Sequence, residues 1–202
     1  MNELERRIID ISYKHKIGHL SSNLTAVNII DEIYETKKVD EPFVLSSGHA
    51  GLALYTVLEK HEGRDAEYLF NTYGVHPHRS IEDGLYCSTG SLGIGLTVAV
   101  GYALADRSRN VYCLISDGEA AEGSIWEALR FIYEQKLTNL KVYVNVNGVC
   151  ACDYIDSIYL VDRLKSFLPS INICYTEIPN WDFAKGILTH YYILKDEDME
   201  KL

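Results

Sequence analysis

Apolar positions along this chain follow two rhythms. Some recur with the 3.6-residue period of a helix face, and others cluster in the short continuous runs of buried strands. Leu4, Ile8 and Ile11 fall on one face with charges between them, which predicts an N-terminal helix. A break follows at Lys16-Ile17-Gly18-His19, and Ser21-Ser22-Asn23 offers N-caps for a helix over 24–35. Leu24, Val27, Ile30, Ile33 and Tyr34 form the apolar face of that helix. Residues 43–46, after Pro42, read as a buried strand, and Ser47-Gly48-His49 turns it into a helix ending near Lys60. A further helix is expected over 65–73. The periodicity is lost over 74–90, where turn formers and His76-Pro77-His78-Arg79 predict a long functional loop.

The second half alternates more regularly. Residues 92–105 read as a helix of Gly, Ala and Val suited to close packing. Residues 111–115 read as a strand ended by Ser116-Asp117-Gly118. Residues 119–136 form the next helix, with Ile125, Trp126, Leu129, Ile132 and Tyr133 inward. Residues 140–146 are another strand, closed by Asn147-Gly148. Beyond it, a helix over 158–167 and strands over 171–175 and 187–194 are expected. This alternation predicts an α/β fold, a parallel sheet flanked by helices, as one domain spanning 1–202. Ligands in such sheets bind at the carboxyl ends of the strands.

Composition narrows the class. With 19 basic and 29 acidic residues the net charge is −10, which argues against nucleic-acid binding. Any bound phosphate must then be neutralised locally, by a metal or by backbone N–H groups. No apolar run is long enough to span a bilayer and no leader pattern opens the chain, so a cytoplasmic, membrane-free protein is expected. The five cysteines, Cys87, Cys113, Cys150, Cys152 and Cys174, are odd in number and sit in apolar stretches. They read as reduced packing residues.

The chemistry concentrates at two strand ends. Asp117 and Asn147 lie thirty positions apart, the length of a helix and a returning strand. Two consecutive parallel strands then present both oxygen ligands at one point, a donor set suited to Mg2+ shared with a phosphate. Gly118 lets the backbone approach that phosphate, and the following helix N-terminus adds N–H donors. Taken singly, Asp117 is also a good N-cap.

At these residues the chain resembles the thiamine diphosphate-binding domain of the transketolase family, which carries Gly-Asp-Gly, about thirty residues, then Asn. Ser116 replaces the first Gly here. Ile17-Gly18-His19, Phe43-Val44-Leu45-Ser46-Ser47-Gly48-His49, Val75-His76-Pro77 and Thr89-Gly90-Ser91-Leu92-Gly93-Ile94-Gly95 resemble further family segments, in order from residue 15 to about 155. The resemblance implies that Asp117, Asn147 and the Val149 carbonyl hold Mg2+, with Ca2+ or Mn2+ able to replace it. It implies that His49, Gly90, Leu92, Gly118 and His190 border thiamine diphosphate. His19, His49 and His76 would meet the sugar, and Glu122 would link paired active sites.

The resemblance covers one of the family's three domains, so it implies a split transketolase. A C-terminal, pyrimidine-binding subunit would complete the site in an α2β2 heterotetramer. The implied reaction is two-carbon ketol transfer from a ketose phosphate to an aldose phosphate, as in the pentose phosphate pathway. Three alternatives stay open: another thiamine diphosphate enzyme, such as a deoxyxylulose phosphate synthase, a 2-oxo-acid dehydrogenase component or an enzyme of unusual sugars; a non-catalytic cofactor-binding module; and a nicotinamide dehydrogenase. The three histidines favour sugars over 2-oxo acids. The missing GxGxxG spacing argues against the dehydrogenase.

Overall fold

The computed structural model describes residues 1–151 and 153–202. The expectation that Cys152 is a packing residue falls outside the described residues. Four strands, β1 (Phe43–Leu45), β2 (Val111–Ser116), β3 (Leu140–Val146) and β4 (Asn172–Tyr175), pair in parallel in the order β1-β2-β3-β4. Successive side chains point to opposite faces, so the short apolar strands feed two cores. Phe43, Leu45, Tyr112 and Leu114 pack under α1 (Glu3–His15), α2 (Leu20–Thr36), α3 (Gly51–Glu62) and α4 (Ala66–Tyr73). Val44, Cys113, Ile115, Val142 and Val144 pack under α5 (Ile94–Ala105), α6 (Gly123–Glu134) and α7 (Ser157–Phe167). Two short helices, α8 (Leu188–Tyr191) and α9 (Asp196–Met199), close the chain. No helix among the described residues is long and apolar enough to cross a membrane.

Local chemistry accounts for several boundaries. Asn2 and Glu5 form a reciprocal capping box on α1, and Asp65 and Asp156 accept backbone N–H groups at the starts of α4 and α7. Gly95 lets α5 touch the sheet: a Cβ there would stand 2.5 Å from Ser46 Cα.

Four expectations are corrected. α2 begins at Leu20, not at 24, and its N-cap is His19 in the left-handed conformation, φ 58°. Ser21, Ser22 and Asn23 lie inside the first turn, buried. α6 begins at Gly123, because 118–121 forms a separate 3-10 turn that carries the Glu119 side chain inward. Tyr133, expected inward on α6, is 61% exposed. Residues 187–194 are not a strand: α8 sits there, and the His190 carbonyl accepts the N–H of His19 at 2.7 Å instead of joining the sheet.

Candidate functional site

The carboxyl ends of the strands open into one cavity of about 360 Å3, within the size range of small-ligand sites. Register explains what meets there. Ser116 pairs with Asn145, so Asp117 and Asn147 leave the sheet side by side. The Asp117 carboxylate is 2% exposed. It accepts N–H bonds from Asn147 at 2.9 Å, Gly148 at 2.7 Å and Gly118 at 2.9 Å. Burial nevertheless outweighs these donors and pushes the carboxyl up to about 6. The desolvated carboxylate faces the cavity with no cation beside it among the described residues. A divalent ion would offset that cost, and Asn147 supplies an amide oxygen close by. Among the described residues no group of three His, Cys, Asp or Glu could hold a metal. Any site here therefore relies on one carboxylate with amide and backbone oxygens.

Four histidines line the same cavity: His19, His49, His76 and His190. His19 comes from the left-handed turn before α2 and His49 from the 3-10 turn after β1. His76 comes from the loop before α5, and His190 from α8. The His19 ring centroid lies 4.5 Å from that of His190, 5.6 Å from His49 and 6.3 Å from His76. Burial, reinforced by the neighbouring imidazoles, lowers His19 to about 4 and His49 to about 3. Burial also lowers His190. His19 and His49 are therefore neutral at physiological pH and offer N–H groups and lone pairs rather than positive charge.

Of the residues singled out in the sequence, His19, His49, His76, Gly90, Leu92, Asp117, Gly118, Asn147, Val149 and His190 all line the cavity. Glu122 does not: it precedes α6 at the N-cap position, its side chain makes no capping hydrogen bond, and it is exposed beside Gly93. Cys150, expected to be a packing residue, lines the cavity next to Gly118. Cys87 and Cys113 are buried as expected.

Neither spacing nor resemblance singled out the groups that brace this site. Glu119 is fully buried. It accepts the Ser46 hydroxyl at 2.6 Å, the Gly93 N–H at 2.9 Å and the Ser116 N–H at 3.0 Å. One carboxyl thus ties the ends of β1 and β2 to the entry of α5. Thr25 of α2 accepts from Asn145 Nδ2 at 2.9 Å and Asn147 Nδ2 at 3.4 Å, fixing both amides. Asn23 donates to the carbonyls of His19 and His49 and accepts the Ala53 N–H. For Asn23 and Thr25 the available signal was the polar cluster Ser21, Ser22, Asn23 and Thr25 at the opening of an apolar helix.

Known proteins resemble this chain in sequence and in fold. Residues 7–168 match the family model described as transketolase, thiamine diphosphate binding domain. The chain is 35% identical over 164 residues to an apulose-4-phosphate transketolase subunit of Phocaeicola vulgatus, covering 70% of this chain and 57% of that protein. It is 30% identical over 184 residues to the 6-deoxy-6-sulfo-D-fructose transketolase subunit SqwG of a Clostridium species, covering 81% and 67%. The transketolase of Campylobacter jejuni superposes with a TM-score of 0.75 at 20% identity, over 100% of this chain and 42% of that one. The chain thus spans a little over half of the first relative and less than half of the solved enzyme. With that match running through both strand ends of the cavity, the chain belongs to the transketolase family, in its thiamine diphosphate-binding domain.

Proposed function

We propose that this chain is the diphosphate-binding subunit of a thiamine diphosphate-dependent transketolase, completed by a separate pyrimidine-binding subunit. The observation that carries this reading is the meeting of Asp117, Asn147 and Val149 with four histidines in one cavity. Asp117, the Asn147 amide oxygen and the Val149 carbonyl would hold Mg2+. Gly118, Gly90, Leu92 and His190 would border the diphosphate. The bound cofactor supplies the electron sink for breaking and forming the ketol carbon–carbon bond. His19, His49 and His76 bind sugar oxygens and hold or pass protons at ring nitrogens. The neutral state of His19 and His49 suits binding to uncharged hydroxyls.

A partner has a surface to use. α5 leaves Ile94, Thr97, Gly101, Leu104 and Ala105 exposed in one stripe, with Ile94 45% and Leu104 40% exposed. The outward Glu122 sits at the start of α6, which packs beside α5. We place the partner there, in a cytoplasmic assembly with two copies of each chain and Glu122 at the contact between sites. The donor is a ketose phosphate and the acceptor an aldose phosphate of the pentose phosphate type. The names of the two bacterial relatives favour a second reading, with a less common ketose as donor.

Calorimetry of the chain mixed with its pyrimidine-binding partner tests the core of the proposal. Thiamine diphosphate should bind only with Mg2+, and Asp117→Ala should weaken binding about 100-fold or more, since the charged metal ligand is lost. Ketol transfer from xylulose 5-phosphate to ribose 5-phosphate should need both chains. Cofactor binding without transfer would point to another sugar. Binding that is independent of Mg2+, or unaffected by Asp117→Ala, would sink the metal assignment.

A further inference from the structure

His19 is held in a conformation that a residue with a Cβ rarely adopts, φ 58° and ψ 26°. Such a residue persists only when its surroundings over-determine it. Here its N–H donates to the His190 carbonyl at 2.7 Å, and its carbonyl accepts Asn23 Nδ2 at 2.9 Å. Its ring is fixed too. His19 Nδ1 and His190 Nε2 lie 2.9 Å apart, and His190 Nδ1 lies 3.3 Å from Ser22 Oγ. One residue of α8 therefore grips both the backbone and the side chain of His19.

The row Ser22–His190–His19 has two self-consistent proton arrangements. In one, the Ser22 hydroxyl donates to His190 Nδ1, His190 Nε2–H donates to His19 Nδ1, and His19 carries its proton on Nε2. In the other every donor reverses, and Ser22 Oγ accepts while its own proton needs another acceptor. Ser22 is 8% exposed, and His190 is the one partner of its hydroxyl among the described residues. Ser22 lines the cavity wall, so in the reversed arrangement its hydroxyl finds no acceptor in the protein and depends on the cavity's contents; for a group so nearly buried that is costly, and the first arrangement is favoured.

We propose that Ser22 and His190 are positioning residues that hold His19 as its Nε2–H tautomer, presenting a neutral N–H donor to the cavity. The ring then donates to an oxygen of whatever occupies the cavity, and proton acceptance falls to His49 or His76. That the oxygen belongs to a sugar or a diphosphate rests on the functional reading above; the tautomer does not. Burial keeps the ring uncharged at neutral pH, so the donor is an imidazole and not an imidazolium.

Long-range 1H–15N correlation on the full chain, labelled with 15N-histidine at neutral pH and without cofactor, reads the tautomer directly. His19 should show a protonated Nε2 and an unprotonated Nδ1. Ser22→Ala should shift both His19 nitrogens toward the average of the two tautomers. Ser22→Thr, which keeps the hydroxyl, should restore the pattern. Circular dichroism checks that each variant is folded; if Ser22→Ala is not, the wild-type and Ser22→Thr spectra decide. A wild-type His19 protonated on Nδ1, or a Ser22→Ala spectrum identical to wild type, overturns the proposal. Because no cofactor is present, such a failure leaves the functional reading standing, while absent cofactor binding would count against that reading alone.

Discussion

Removing the Glu119 carboxyl should loosen the frame of the cavity. Glu119→Ala strips the acceptor from three donors, Ser46 Oγ–H, Gly93 N–H and Ser116 N–H, in a position fully shielded from solvent. A buried donor left unpaired costs about 1–3 kcal/mol. Water entering the vacated space recovers part of that, so a net loss of about 3 kcal/mol follows. At about 2–4 °C per kcal/mol for a chain of this size, the melting temperature should fall by about 6–12 °C. Glu119→Gln keeps the volume and one oxygen, enough for Ser46 and Gly93, but sets an amide N–H against the Ser116 N–H. It should lose about half as much. Glu122→Ala, at an exposed position, serves as the control and should stay within about 0.5 kcal/mol of wild type. Thermal unfolding followed by circular dichroism measures all three. If Glu119→Ala melts within about 2 °C of wild type, the carboxyl does not brace the strand ends and the reasoning is wrong.

Two further outcomes follow from packing and from charge. Gly95→Ala would drive a Cβ to 2.5 Å from Ser46 Cα and should destabilise the chain by about 1–3 kcal/mol. Gly101→Ala, with nothing within 4 Å of its added Cβ, should stabilise the isolated chain by up to about 1 kcal/mol; urea denaturation compares the pair, and equal effects would refute the packing described for α5. His19 and His49 titrate near 4 and 3 in the folded chain, against 6.5 for a solvated ring. The unfolded chain therefore takes up protons first, so stability is held above about pH 6.5 and is lost as pH falls toward 4 and 3. Asp117, raised to about 6 in the folded chain, acts in the opposite direction over the same window, but two imidazoles outweigh one carboxyl, so urea midpoints should fall between pH 7 and pH 5; His49→Gln should flatten that slope, and an unchanged slope would contradict the burial of His49.

Much of this molecule is legible locally. The runs at 43–45 and 111–115 are apolar on both faces, as strands covered on both sides must be, while 140–146 alternates apolar residues with Lys141, Tyr143 and Asn145; each became a strand within one residue of its expected bounds. Because those strands are parallel and adjacent, the thirty-residue spacing of Asp117 and Asn147 sufficed to place them together. Other features depended on partners distant in the chain. Ser21-Ser22-Asn23 carried the local mark of an N-cap, yet α2 starts earlier because His190, 171 residues from His19, holds the turn before it. Glu119 had the local mark of a first-turn helix acid, yet it is buried because Ser46, 73 residues away, and Gly93 supply its donors. Residues 187–194 had enough apolar character for a strand, but the His190 carbonyl was claimed by the turn at His19. Periodicity and propensity report what a segment prefers by itself and which face it hides. Whether a polar group can be buried depends on donors and acceptors from other segments, and only the assembled fold brings those within reach.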